Sequence, residues 1–397
     1  MQTGNIIEAV VDRIAFGGEG VCRVEELVVF VPFIMSGDIV EIEIVERKKR
    51  YARGRLVRII APSQERTAPV CPYYVRCGGC QYQHIRYDAQ LEIKTAHVVD
   101  AFTRIGKFAK PPVAGIVRSP RPYGYRGKAE FQVVRDDSGE WTSGFMHGLS
   151  HRVVDIESCP IMDDSINKDY QRFRKDLVVG NAEVIREGKA VFWSRPESEA
   201  SVVCPPGSVL RTVKGKHLLA PQQGFFQANT GLTERLVDTV VSMCAPTGKE
   251  TVLDAYCGSG LFTLFLAPHA GRIFGIETEP DAVTCARINL QEAGYNHAVF
   301  VEGDVASVMG KQMKTDMPHI DVMVCDPPRV GLNPGTLSAI IDARPARIVY
   351  VSCNPATQAR DMKILADEGY DLKILQPVDM FPQTAHIEVV GLMERAQ

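Results

Sequence analysis

The spacing of apolar residues changes period along the 397-residue chain. Over residues 5–60, Val40, Ile42 and Ile44 alternate with Glu41 and Glu43, the period of two that marks a half-buried strand. Phe16-Gly-Gly-Glu-Gly20 and Ser36-Gly37-Asp38 punctuate the runs as turns. About five short strands in this span predict a small barrel of the OB type. Residues 61–83 read as loop, and 88–105 as an amphipathic helix with Leu91, Val98 and Phe102 among its apolar positions. Residues 129–220 hold strand-like runs without a readable motif. From Thr251 onward, apolar runs (251–256, 272–276, 298–302, 320–325, 346–352) alternate with helix-like stretches (259–268, 279–293, 334–342, 356–367). That alternation predicts β-α units, hence a mostly parallel sheet with helices on both faces. Two strand-like runs, 370–378 and 386–393, close the chain.

Composition adds bounds. At roughly 100–200 residues per domain the length implies two or three domains. With 45% hydrophobic and 23% charged residues, the chain can bury a core, which excludes disorder as its main state. No apolar run approaches the roughly 18–20 residues of a membrane span. The N-terminal stretch carries acids and lacks the basic-then-apolar layout of a signal peptide, so a cytoplasmic protein without a membrane partner is expected; a monomer is expected as well. The net charge of −3 announces no polyanionic partner; one must be read from local charge. Arg47, Lys48, Lys49, Arg50, Arg53, Arg55 and Arg58 form a run without an acid, with Tyr51 inside it. A cation-blunted edge strand and a phosphate-binding barrel face explain this run equally well. Arg104, Lys107, Lys110, Arg118, Arg121, Arg126 and Lys128 form a second such stretch, with Tyr123 and Tyr125 interleaved. Two patches of one sign favour a shared polyanion.

Eleven cysteines are many for a reducing compartment, so clustered ones are weighed as metal ligands or nucleophiles. Cys71, Cys77 and Cys80 make a C-x5-C-x2-C cluster with glycines at 78 and 79, and Cys159, followed by proline, is chosen as the fourth ligand. Zinc takes similar tetrads, but this spacing is not a common zinc-finger one. A 4Fe-4S cluster is therefore favoured, in a structural role.

Val252-Leu-Asp-Ala-Tyr-Cys-Gly-Ser-Gly260 is an apolar strand running into a glycine loop and a helix. The D-x-x-x-G-x-G spacing suits a methyl donor with an amino-acid moiety better than a pyrophosphate. Glu277 ends the second strand, where a carboxylate can accept ribose hydroxyls; Asp304 ends the third, where adenine would lie. Asp326-Pro-Pro-Arg329 follows the fourth. Val351-Ser-Cys353-Asn-Pro355 ends the fifth and sets a thiol at a helix N-terminus, which is expected to lower its pKa. Pro382-Gln-Thr-Ala-His-Ile-Glu388 places a carboxyl on a short apolar strand.

Together these segments, with FFQAN at 225–229, resemble the RNA uracil-C5 methyltransferases, in the branch with a TRAM (OB-like) domain and an iron–sulfur cluster. One departure is Leu261, where some members have an asparagine that contacts the cofactor. The resemblance implies a multidomain chain: a TRAM barrel at 1–60, a small central α+β domain with the cluster at 61–220, and a Rossmann-like methyltransferase domain at 221–397. The helix at 88–106 would pack on the catalytic domain. The resemblance also implies S-adenosylmethionine as methyl donor, with Gln227, Tyr256, Glu277, Asp304 and Asp326 around it. Cys353 would be the nucleophile that adds to uracil C6, and Glu388 the base that removes the C5 hydrogen. In that branch ribosomal RNA, of the 23S type, is favoured over transfer RNA. The alternatives are a transfer RNA uridine-C5 methyltransferase, an amino-group methyltransferase using D-P-P, and a non-catalytic RNA-binding module.

Overall fold

A computed structural model describes residues 2–136, 138–148, 150–179, 187–195, 205–312 and 319–396. The chain forms two compact units. The first takes in Met1–His97, Arg121–Phe192 and Phe381–His386; the second takes in Val98–Pro120, Trp193–Met380 and Ile387–Gln397.

The first unit opens with β1 (Ile6–Ile14), β2 (Gly20–Val24), β3 (Leu27–Val31), β4 (Ile39–Arg47) and β5 (Tyr51–Ala61), which close into a barrel in the order β1-β2-β3-β5-β4. Its core holds Val29, Val31, Val40, Ile42 and Ile44, the inward side of the predicted alternation. Burying each such side chain contributes roughly 1.5–3 kcal/mol. Closure overturns the edge-strand reading of the first basic run, because β5 pairs with β3 on one side and β4 on the other. The acids of β4 face the cations of β5, Arg55 pairing with Glu43 and Arg58 with Glu41 at 2.6 Å, while Arg53 pairs with Glu19, just before β2, at 2.6 Å. Charges scattered along the sequence thus neutralise one another across the ladder. At the turn Lys48 pairs with Glu46, while Lys49 and Arg50 are exposed and without an ion pair among the described residues.

The chain leaves the barrel through a buried anchor. The Asp38 carboxylate accepts from the backbone of Met35 and Ser63 and pairs with Arg66 at 2.8 Å. Helix α1 (Tyr87–Arg104) follows; its later residues Val98 and Phe102 belong to the core of the second unit. Strands β6 (Lys128–Arg135), β7 (Trp141–Met146), β8 (Val153–Asp155) and β9 (Gly188–Trp193) form a sheet in the order β8-β7-β6-β9, with α2 (Asp164–Val179) between β8 and β9 in the chain. Phe131 of β6 stacks on Tyr170 of α2 at 3.6 Å between centroids.

The second unit contains the hairpin β10 (Ser208–Val213) and β11 (Lys216–Pro221), then α3 (Thr233–Cys244). Its sheet is built from β12 (Thr251–Ala255), β13 (Arg272–Glu277), β14 (Ala298–Glu302), β15 (Val322–Cys325), β16 (Arg347–Ser352), β17 (Tyr370–Val378) and β18 (Glu388–Arg395). The helices between are α4 (Leu261–Leu266), α5 (Pro280–Glu292), α6 (Val305–Gln312), α7 (Pro334–Ala343) and α8 (Pro355–Asp367). The order is β14-β13-β12-β15-β16-β18-β17, parallel through β16, with β18 antiparallel between β16 and β17. The central strands read as apolar runs because both faces are covered: Val322, Met323, Val324 and Cys325 are all buried. α2, in the stretch read only as strand-like runs, and α3 and α6 are not among the helices that the sequence pattern predicts. No helix among the described residues is long and apolar enough to cross a membrane.

Candidate active site

The parallel strands carry Asp254, Glu277, Asp326 and Cys353 at or just beyond their C-terminal ends, and antiparallel β18 begins with Glu388 at that same end of the sheet, whereas Gln227 lies outside the sheet. β12 ends in buried Asp254, whose Oδ2 accepts from Thr263 Oγ1 at 2.5 Å. Tyr256 opens the glycine loop with φ of +64°, and its hydroxyl meets Thr336 Oγ1 at 3.2 Å. Asp254 Oδ1 and Ser259 Oγ are buried without a hydrogen-bond partner among the described residues. Orphaned polar atoms on a strand-to-loop turn suit a ligand that brings its own donors and acceptors.

Glu277 is already engaged. Its Oε1 accepts from Thr278 N, Thr278 Oγ1 and Glu279 N, and its Oε2 from Gly258 N at 3.0 Å. The carboxylate therefore latches the glycine loop to the tip of β13, and Oε2 retains acceptor capacity for a ribose hydroxyl. Asp304 caps α6, its Oδ1 accepting from Ser307 N and Oγ at 3.0 Å. Gln227 is buried in the segment before α3.

Asp326, Cys353 and Glu388 form one electrostatic group. Burial pushes the Asp326 carboxyl up to about 7, with Asp254 and Glu277 adding to the effect. Glu388 is held well above the usual carboxyl range by burial and by Asp326. The Cys353 thiol is pushed up to about 11 by burial, then by Glu388 and Asp326; Arg329 opposes this. The lowered thiol pKa expected from a helix N-terminus is thus reversed in the free protein, because desolvation and two nearby carboxylates outweigh the helix dipole.

The loop carrying Cys353 is tightly tied. Asn354 caps α8 through Ala356 N, and its side-chain amide donates to Arg329 O at 3.1 Å; Thr357 Oγ1 donates to the same carbonyl at 3.3 Å. Buried Asp361 accepts from Tyr350 OH and Leu332 N at 2.8 Å, sewing β16 and the D-P-P-R loop to α8. Gly331, at φ of +80°, makes the turn; a Cβ there would lie 2.5 Å from Asp361 Oδ2. No sequence motif singles out Asp361, although it sits one helical turn after Thr357, on the same face.

Two family models match the chain: tRNA (Uracil-5-)-methyltransferase over residues 210–396, and TRAM domain over residues 1–57. An RNA methyltransferase of Halalkalibacterium halodurans is 32% identical, across 99% of this chain and 98% of its own length. One of Clostridium acetobutylicum is 31% identical, across 100% and 98%. The crystal structure of Pyrococcus abyssi tRNA (uracil-54, C5)-methyltransferase in complex with S-adenosyl-L-homocysteine aligns with a TM-score of 0.73 at 25% identity, covering 98% of this chain and all of that one. The chain belongs to the RNA uracil-C5 methyltransferase family.

This RNA methyltransferase carries its TRAM domain in the first unit, as the closed barrel. The four cysteines singled out as metal ligands lie in the same unit. Cys80 is pushed up to about 11 by burial, and Cys77 and Cys71 add to this; a hydrogen bond with Gln83 and the Arg126 charge oppose it. Cys159 reaches about 12, raised by burial and by Cys80, Cys71 and Cys77. The four thiols therefore feel one another's charge, and Tyr74, Tyr123 and Tyr125 pack around Cys80 and Cys159. Gly78 matters for a reason other than a tight turn: a Cβ there would lie 3.1 Å from Met146 O, so the thiol loop lies flat against β7. Among the described residues, no group of three or more His, Cys, Asp or Glu is placed to hold a metal ion.

Asp254 makes the free enzyme's stability pH-dependent. Its folded pKa of about 7 lies above the ordinary carboxyl value of 3.8. Stability is therefore full below the ordinary value and is lost as pH rises through about 7, by an amount on the order of a few kcal/mol. The melting temperature of the ligand-free protein should fall as pH rises from about 4 to about 7, and Asp254→Asn should reduce that slope, leaving the part due to Asp326 and Glu388. An unchanged slope in the variant would place the titration elsewhere.

Proposed function

We propose that this enzyme methylates C5 of uridine in structured RNA through a covalent adduct between Cys353 and C6. The observation that carries the reading is the convergence of Asp326, Cys353 and Glu388 at one end of the neighbouring strands β15, β16 and β18 of a uracil-C5 methyltransferase fold, near enough for both carboxylates to act on the thiol. C5 of uracil is a poor nucleophile. Cys353, as thiolate, adds to C6 and makes C5 enolate-like. S-adenosylmethionine supplies an electrophilic methyl group. Gln227, Tyr256, Glu277, Asp304 and Asp326 hold it, with Asp326 nearest the transfer point. After transfer, Glu388 takes the C5 hydrogen and the thiolate is eliminated. Arg329, the cation acting on Cys353, favours its ionised form.

Incubation with RNA carrying 5-fluorouridine tests this directly. Fluorine cannot leave as a proton does, so a stable protein–RNA complex should form through Cys353. An amino-group methyltransferase or a non-catalytic binder would give none.

Ribosomal RNA of the 23S type is our first substrate reading, from the pairing of a TRAM domain with the thiol cluster. Transfer RNA is the second, favoured by the activity of the Pyrococcus abyssi enzyme. Mapping 5-methyluridine in both RNAs from cells lacking the gene separates them.

Cys71, Cys77, Cys80 and Cys159 are proposed to bind a 4Fe-4S cluster in a structural role. The four thiols act on one another, and no carboxylate is among the groups acting on Cys80 or Cys159, which supports ligation by sulfur alone. Anaerobically purified protein should be brown, with about four irons and four sulfides per chain. Stoichiometric zinc without visible absorption would overturn this.

The barrel's contribution to RNA binding is assigned to its β4–β5 tip. Arg50→Glu should weaken RNA binding and reduce the slope of log affinity against log salt by about 0.7–0.9 for each phosphate that is no longer neutralised. Arg55→Glu, which removes a cation already paired with Glu43, should do less. Equal effects would return the whole β5 face to the interface.

A further inference from the structure

We propose that Gln358 is a positioning residue for the catalytic base, a role that rests on the uridine-C5 reading above. Gln358 lies on α8, fully buried. Its amide nitrogen carries two hydrogens, and they go to different strands: one to Tyr350 O on β16 at 2.8 Å, the other to Val389 O on β18 at 3.0 Å. β16 runs into Cys353 two residues beyond Val351, and β18 begins at Glu388, directly before Val389. One side chain therefore straddles the strand that delivers the nucleophile and the strand that delivers the base.

The other half of the amide makes the arrangement informative. Gln358 Oε1 is buried with no hydrogen-bond partner among the described residues. A buried acceptor without a partner is costly, so a glutamine serving only to fill space here would be a poor choice beside leucine or methionine. What the glutamine adds is its two donors: one is spent on the carbonyl of the residue after Glu388, the other on a carbonyl of β16 three residues before Cys353.

The two strands do not depend on it equally. The Cys353 loop has further ties, through Asn354 and Thr357 to Arg329 O and through Ser352 Oγ to Asn354 N. The start of β18 is held by its ladder bonds to β16 and β17, where Ser352 faces Val389 and Val378 faces Glu388. With the Gln358 donors removed, the Val389 carbonyl is left without that bond, and the backbone unit joined to Glu388 can shift. Loss of Gln358 should therefore slow proton removal from C5 more than thiol addition or methyl transfer.

The test is Gln358→Met, nearly the same length and without a donor, in the full-length enzyme with ordinary uridine RNA. The KM for RNA and for S-adenosylmethionine should stay unchanged. The kcat should fall roughly ten- to a hundredfold, the scale of a slightly misplaced catalytic group. A methylated covalent complex should be visible on a denaturing gel where the wild type shows none. Gln358→Asn, which keeps a donor on a shorter stem, should recover part of the rate, and it carries the same gel test if the methionine variant does not fold. A folded variant with wild-type kcat and no trapped complex overturns the proposal, as does a lower melting temperature with an unchanged kcat. If the wild type itself makes no 5-methyluridine and forms no adduct with 5-fluorouridine RNA, the functional reading has failed instead, and this role falls with it.

Discussion

Glu388→Gln should trap the enzyme on ordinary RNA as a methylated covalent complex. The variant keeps Cys353, so addition to C6 and methyl transfer proceed. The C5 hydrogen then finds no base, and elimination stalls. Removal of a positioned base costs roughly 10²–10⁴-fold in rate, enough for the complex to survive a denaturing gel. The site's electrostatics agree with this division of labour. Glu388 sits fully within the sheet at the start of β18, and burial together with Asp326 raises its proton affinity well above that of an ordinary carboxyl. A carboxylate so placed is a stronger base than one in water. Mass spectrometry of the trapped complex should find the RNA-derived methyl group and a bond to Cys353. Normal turnover by Glu388→Gln would remove Glu388 from the mechanism.

Cys353→Ala should abolish methylation, by the order of 10⁴-fold or more, the scale seen when a covalent nucleophile is lost. No adduct should form with either ordinary or 5-fluorouridine RNA, because C5 is never activated. The double variant lacking both groups should behave as Cys353→Ala does, since the base acts only after the thiol. Binding of RNA should survive, because the cations that would contact phosphate lie elsewhere, on the barrel tip among other places. Methylation of uridine by Cys353→Ala would make the amino-group reading of Asp326-Pro-Pro the better one.

The two halves of this protein were unequally legible. In the methyltransferase half the strand-like runs anticipated at 251–256, 272–276, 298–302 and 346–352 correspond to β12, β13, β14 and β16 within a residue or two. Buried parallel strands are apolar on both faces and are separated by helices with their own period, so the pattern is strong. α6 was missed because it is short and follows β14 after only two residues. The candidate nucleophile and base were legible as chemistry: a thiol between polar neighbours, and a carboxyl on an apolar strand. Their proton affinities were not. Sequence spacing places Cys353 before a helix, but the opposing carboxylates of Glu388 and Asp326 come from other strands, and they and burial decide the direction of the shift.

The barrel carries the same lesson in charge. The amino-acid sequence determined that seven cations lie between residues 47 and 58 and that apolar and acidic residues alternate before them. It could not determine that Arg55 meets Glu43 and Arg58 meets Glu41, because strand register is a long-range property. Period and turn chemistry are written locally and survive in one dimension. Register, ion pairing and desolvation arise only when distant segments meet, so the tertiary structure alone decided which cations stay free, which acids gain proton affinity, and that Gln358 bridges the strands of the thiol and the base.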